Sequence, residues 1–100
     1  MKQFDVFDVD DPGGAVAVVL LQGALYLDLP SVLVAPLYPA GSALQYPVIN
    51  PEIRIGQGSV IVKLEQTTSV SPLLLDRYAG TAEDSAQIIK DALDRLICGY

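Results

Sequence analysis

The chain has 100 residues, 51% of them hydrophobic, and its twelve acidic and six basic side chains leave a formal charge of −6. That length makes one domain, residues 1–100, with limited capacity to bury apolar surface; so rich an apolar content predicts a dense core with some surface kept for a second copy. The longest clean apolar run, Ala15 to Leu21, falls far below the ~20 residues of a membrane helix, and Lys2, Arg54, Lys63, Arg77, Lys90 and Arg95 are scattered rather than clustered, which argues against direct nucleic-acid binding.

From the N-terminus, Lys2 to Val9 predicts a strand whose apolar phase changes between Val6 and Phe7, the mark of a bulge or of apolar neighbours on both faces. Asp10-Asp11-Pro12-Gly13-Gly14 is a turn, since Pro12 presets φ and the glycines accept positive φ, and Ala15 to Leu21 returns as an antiparallel buried strand. Gln22 to Ser31 connects to an apolar strand, Val32 to Leu37. There Pro36, lacking an N–H, predicts a strand end or edge. Tyr38 to Pro51, with Pro39, Gly41, Pro47 and Pro51, reads as a long irregular loop. Glu52 to Ile55 and Ser59 to Leu64 make a second hairpin around Gly56-Gln57-Gly58, and Val70 to Leu75 supplies a last strand near an edge, as Pro72 implies.

The period then changes. Thr81 to Asp84 resembles a capping box. Ala86, Ile89, Leu93 and Leu96 recur at helical spacing, widened by Ile88 and Ala92, and Gly99 stands where a left-handed cap ends a helix. The spacing predicts one helix from Ala82 to Ile97, with an acid-first Asp91–Arg95 pair on its outer face. Several short strands, hairpin turns and a terminal helix predict a small bent sheet or barrel.

Catalytic equipment is sparse. With no histidine, nothing stands ready to activate Ser, Thr or Cys as a nucleophile, and the spacing of the lysines suggests no substitute base. Asp5, Asp8, Asp10 and Asp11 read first as a solvated strand face and turn. Gly13-Gly14 and Gly56-Gln57-Gly58 lack the features of a phosphate loop. The single Cys98 excludes an intrachain disulfide and a thiolate cluster and reads as a small buried hydrophobe. Neither a metal nor a cofactor is expected, and the protein is expected to be no enzyme. An acid at the fifth residue, where a signal peptide would be apolar, predicts a cytoplasmic location. The chain stops soon after Ile97, so its last residues are expected to be an uncovered, protein-binding tip.

A set of short matches runs through the chain in order: Met1-Lys2-Gln3-Phe4-Asp5-Val6-Phe7, Gln22, Val34-Ala35-Pro36-Leu37, Tyr46-Pro47-Val48-Ile49, Thr67-Thr68-Ser69-Val70 before Pro72, and Ile89-Lys90-Asp91-Ala92-Leu93-Asp94-Arg95-Leu96 leading to Gly99-Tyr100. In these the chain resembles the CcdB family of toxins. The resemblance implies a mainly β fold with one C-terminal α-helix, a small bent SH3-like barrel of the CcdB/MazF type, assembled as a two-fold homodimer. It also implies a toxin of a toxin–antitoxin module that binds the DNA gyrase A subunit, traps the gyrase–DNA cleavage complex, and is neutralised by a CcdA-like antitoxin.

Carried over by position, the family's gyrase contacts fall at Asp94 and at Cys98, Gly99 and Tyr100, beside Ile97. The family's tryptophan is here Cys98 and its terminal isoleucine is Tyr100. Leu25 and Tyr26 are expected to pack in the core, with target contact as the alternative. Asp5, Asp8, Asp10 and Asp11 form the candidate surface for a basic antitoxin tail, by charge complementarity. The departures at Cys98 and Tyr100 motivate a second reading, a toxin of this fold with a different or lost target. A third, less favoured on this acidic, histidine-free chain, is an endoribonuclease of the same fold.

Overall fold

In the computed structural model the turn at Asp11–Gly14 folds the first two strands into an antiparallel hairpin, β1 (Asp5–Asp8) and β2 (Ala17–Leu20), with Val6 opposite Val19. The structure describes residues 1–41, 45–46 and 48–99. Five more strands follow: β3 (Val32–Pro39), β4 (Glu52–Ile55), β5 (Gly58–Val62), β6 (Thr68–Val70) and β7 (Tyr78–Thr81), before helix α1 (Ala86–Cys98). They form one antiparallel sheet in the order β4-β5-β3-β2-β1-β7, with β6 paired to β3 beside that path. The sheet curls into a half-barrel: a Cβ added at Gly80 of β7 would lie 3.7 Å from Ile55 of β4, at the opposite end of the strand order.

The phase change in β1 has the expected cause. Register with β7 slips between Val6 and Phe7, a bulge that passes over Ala79 of β7, and the ordinary alternation of β1 gives it apolar neighbours on both faces. Phe4 and Val6 enter one core and Phe7 another. The larger core lies between the sheet and α1, where Val19, Ala35, Leu37, Val62 and Leu64 meet Ile89 and Ala92. The smaller one, on the other face, holds Phe7, Leu20, Val32, Val34 and Leu75.

Several boundaries differ from the sequence pattern. Pro36 lies inside β3, at the point where that strand's second partner changes from β6 (paired to 32–34) to β5 (paired to 37–39), so its missing N–H interrupts no ladder. The predicted strand Val70–Leu75 gives way after Val70 to a 3-10 turn, Pro72–Leu74, whose start is capped by Ser71 Oγ accepting from Leu73 N–H at 3.3 Å. The strand Tyr78–Thr81 is additional. The helix begins at Ala86, because Glu83–Ser85 form a 3-10 turn and Thr81 Oγ1 accepts from Glu83 N–H two residues on rather than capping a first α-turn. Asp91 accepts from Gln87 at 2.8 Å, and among the described residues the ion pairs are Lys63–Glu65 and Arg77–Asp10; the Asp91–Arg95 pair is not formed.

A buried polar cluster fixes part of the connection between β3 and β4. Asn50 is fully buried; its Oδ1 accepts from Tyr46 N–H at 2.9 Å and its Nδ2 donates to Glu65 at 2.6 Å. Glu65 also pairs with the buried Lys63 at 3.4 Å, whose ammonium stands 6.0 and 5.7 Å from the rings of Tyr38 and Tyr46. Ile89→Ala should lower stability by roughly 2–5 kcal/mol, since it opens a cavity beneath the only α-helix among the described residues. Asn50→Ala should cost about 2 kcal/mol by stranding the Tyr46 amide and Glu65. Urea denaturation with an unchanged slope checks both.

Candidate functional site

Three surfaces carry the candidate residues. The first is the end of α1. From Ile89, Ala92 and Leu93 the helix turns its apolar stripe onto the larger core, while Asp94, Leu96, Ile97 and Cys98 are exposed. Cys98 lies nine residues beyond Ile89, half a turn out of phase with it, which is why the cysteine faces outward rather than packing as a small hydrophobe. Ile97 is 73% exposed. Gly99 closes the helix at φ 79°, donating its N–H to Arg95 O at 2.9 Å; a residue with a Cβ would be strained there. Tyr100 lies outside the described residues.

The second surface surrounds the smaller core. Leu25 and Tyr26, expected inside, sit on a 3-10 turn, Ala24–Tyr26, and are 86% and 59% exposed. Leu27 takes the inward position instead. Gln22 holds this turn against β3, donating to Tyr26 O at 2.9 Å and accepting from Leu33 N–H at 3.2 Å. Across the same core Leu75 points inward, and the preceding turn leaves Leu73 and Leu74 exposed. These two leucines escaped the sequence pattern, although Ser71-Pro72 carried the signal: a capping serine before proline starts a turn and ends a strand.

The third surface is acidic. Asp8, Asp10 and Asp11 line an open cavity of about 720 Å³ with Arg77 on its wall. Arg77 Nη2 meets Asp10 Oδ2 at 3.3 Å, and Asp11 Oδ2 accepts from Ala15 N–H at 3.3 Å. Asp5 does not share this surface. It is 4% exposed, its Oδ2 accepts the Lys2 N–H at 2.8 Å, and its Oδ1 has no partner among the described residues. The four aspartates are therefore not one solvated face: Asp5 secures the N-terminal turn from inside, leaving the other three at the cavity.

Chemically, these surfaces offer contact. Among the described residues no group of three or more His, Cys, Asp or Glu side chains is arranged to hold a metal ion, and no helix is long and apolar enough to cross a membrane. What converges is apolar area on two surfaces and carboxylates on the third. The Arg77–Asp10 pair is largely exposed on both sides, so Asp10→Asn should change stability by no more than about 0.5 kcal/mol, read as a nearly unmoved thermal midpoint.

Comparison with known proteins places this geometry. The family described as "CcdB protein" matches residues 3–99. No curated protein matches the chain in sequence. Among solved structures, an endoribonuclease in complex with its cognate antitoxin from a mycobacterial species superposes with a TM-score of 0.78 at 13% identity, covering 98% of this chain and 95% of that one. The Mycobacterium tuberculosis toxin MazF-mt6 gives a TM-score of 0.70 at 17% identity, covering 97% of each chain. Identities this low establish a shared fold.

Proposed function

We propose a function from the premise that the chain belongs to the CcdB family: it is the toxin of a toxin–antitoxin module and acts by binding the DNA gyrase A subunit, which holds the enzyme on cleaved DNA. The observation that carries this is the uncovered helix end, where Ile97 and Cys98 stand exposed beside Asp94 and Gly99. A compact apolar tip with a polar flank is the composition of an interface anchor. Cys98 in place of tryptophan removes an aromatic anchor, so Ile97 carries more of the contact, with Tyr100 following it in the sequence.

The protein acts as a two-fold homodimer in the cytoplasm. The apolar turn bearing Leu73 and Leu74 supplies area for a second copy, and Leu25 and Tyr26 join the gyrase contact. A cognate antitoxin neutralises the toxin by binding its acidic surface at Asp8, Asp10 and Asp11, without Asp5, which is buried at the N-terminal turn. No step of this action is catalytic. The fold shared with endoribonuclease toxins supports one alternative, cleavage of RNA.

Purified protein incubated with gyrase, ATP and supercoiled plasmid should accumulate linear, cleaved DNA. Removing Cys98-Gly99-Tyr100 should abolish this while leaving the fold intact, and Ile97→Ala should weaken it roughly tenfold, the loss of a 1–2 kcal/mol contact. Unaltered gyrase cycling at saturating protein would overturn the target. Cut RNA in the same preparation would give the chain the chemistry of its structural neighbours.

A further inference from the structure

The smaller core is only partly covered. Leu27 and Leu75 belong to it, but neither lines the part of the same sheet face that carries Val18 and Pro36, which pair across β2 and β3. That part stays open as a groove of about 350 Å³, floored by Val18, Val34, Pro36 and Val70. Tyr38, whose hydroxyl donates to Gln66 at 2.8 Å, lines the groove beside the turn between β1 and β2, its ring 3.8 Å from where a Cβ at Gly14 would stand. Asp10 and Asp11 form a lip at that same turn, where the groove runs into the acidic cavity through residues common to both.

Charge selects the occupant. No lysine or arginine lines the groove, so it has nothing to offer a phosphate backbone. A second copy of this chain, itself at −6, would bring like charge against the acidic lip. A basic segment meets attraction at long range and the carboxylates on arrival. Arg77 holds Asp10 through a solvent-exposed contact of the kind worth little, so an incoming Lys or Arg can displace it.

We infer that this groove is the docking site for a partner segment with a large apolar side chain set between basic residues, the apolar group on Val18, Pro36 and Val70 and the cations on Asp10 and Asp11. The segment belongs to the antitoxin, so the inference rests on the toxin–antitoxin reading and adds the pattern by which that partner is recognised. Apolar contact supplies the register that charge alone cannot, because salt screens exposed carboxylates while the groove floor is unaffected.

Three synthetic peptides of equal length serve as probes: alternating Lys and Leu, alternating Lys and Ser, and alternating Glu and Leu. The full-length protein should bind the first, with amide shifts concentrated at Val9–Val16, Val34 and Thr68. Serine for leucine should weaken binding at least about tenfold, equivalent to some 1.4 kcal/mol, and glutamate for lysine should abolish it. Thr68→Arg, at an exposed position on the groove wall, should leave the fold intact and weaken the Lys–Leu peptide about tenfold. Equal affinity for the Lys–Ser peptide, or shifts centred on Leu25 and Leu73 or on the end of α1, would overturn the groove.

Co-expression with the product of the adjacent reading frame separates the two claims. Neutralisation that survives Thr68→Arg undiminished keeps an antitoxin and discards the groove. Peptide binding in the groove with no neutralising neighbour keeps its chemistry and discards the antitoxin as its occupant.

Discussion

One helix has to serve a sheet with two apolar faces, and the rest of the molecule follows from that shortage. The thirteen residues of α1 place Ile89 and Ala92 on the larger core, where they meet side chains from most of the strands. The opposite face has five buried residues of its own and, among the described residues, no α-helix to cover it. A chain this short cannot grow a second layer, so two 3-10 turns each donate one leucine, Leu27 and Leu75, and leave their other large side chains outside. Exposed apolar area is thus built into the architecture.

The same economy shapes the helix. Its inward stripe ends with Ala92 and Leu93, after which Leu96, Ile97 and Cys98 are exposed before Gly99 closes the last turn. On the proposed reading this is where gyrase is gripped. A grip needs a shaped, desolvated contact and no proton transfer, which suits a chain without histidine. On that reading the acidic turn works separately: its carboxylates sit where β1 passes into β2, fixed by the turn at Asp11–Gly14, so the proposed target and antitoxin surfaces are made by different elements.

Legibility in the sequence followed the strength of local signals. The hairpin of β1 and β2, the bulge at Val6 and Phe7 and the Gly99 cap were legible because turn chemistry and period breaks are written in neighbouring residues. β7 was not, since Tyr78-Ala79-Gly80-Thr81 has weak strand propensity and is extended because β1 supplies its partner. Pro36 misled for the same reason: its place at a change of partner strand exists only in the assembled sheet. Burial was hardest to read. Asp5 and Cys98 each took the opposite environment from their residue type's habit, Asp5 because its carboxylate accepts the Lys2 backbone N–H and Cys98 because of helical phase.

Hydrogen–deuterium exchange of the full-length protein with and without its purified gyrase target tests the central claim, that the uncovered helix end is the working surface. Slowed exchange should appear at the backbone amides of Asp94 to Gly99 and at Leu25 and Tyr26, with the acidic turn at Asp10 to Gly14 unaffected. Protection confined to that turn, or none anywhere at concentrations that saturate gyrase, would contradict it.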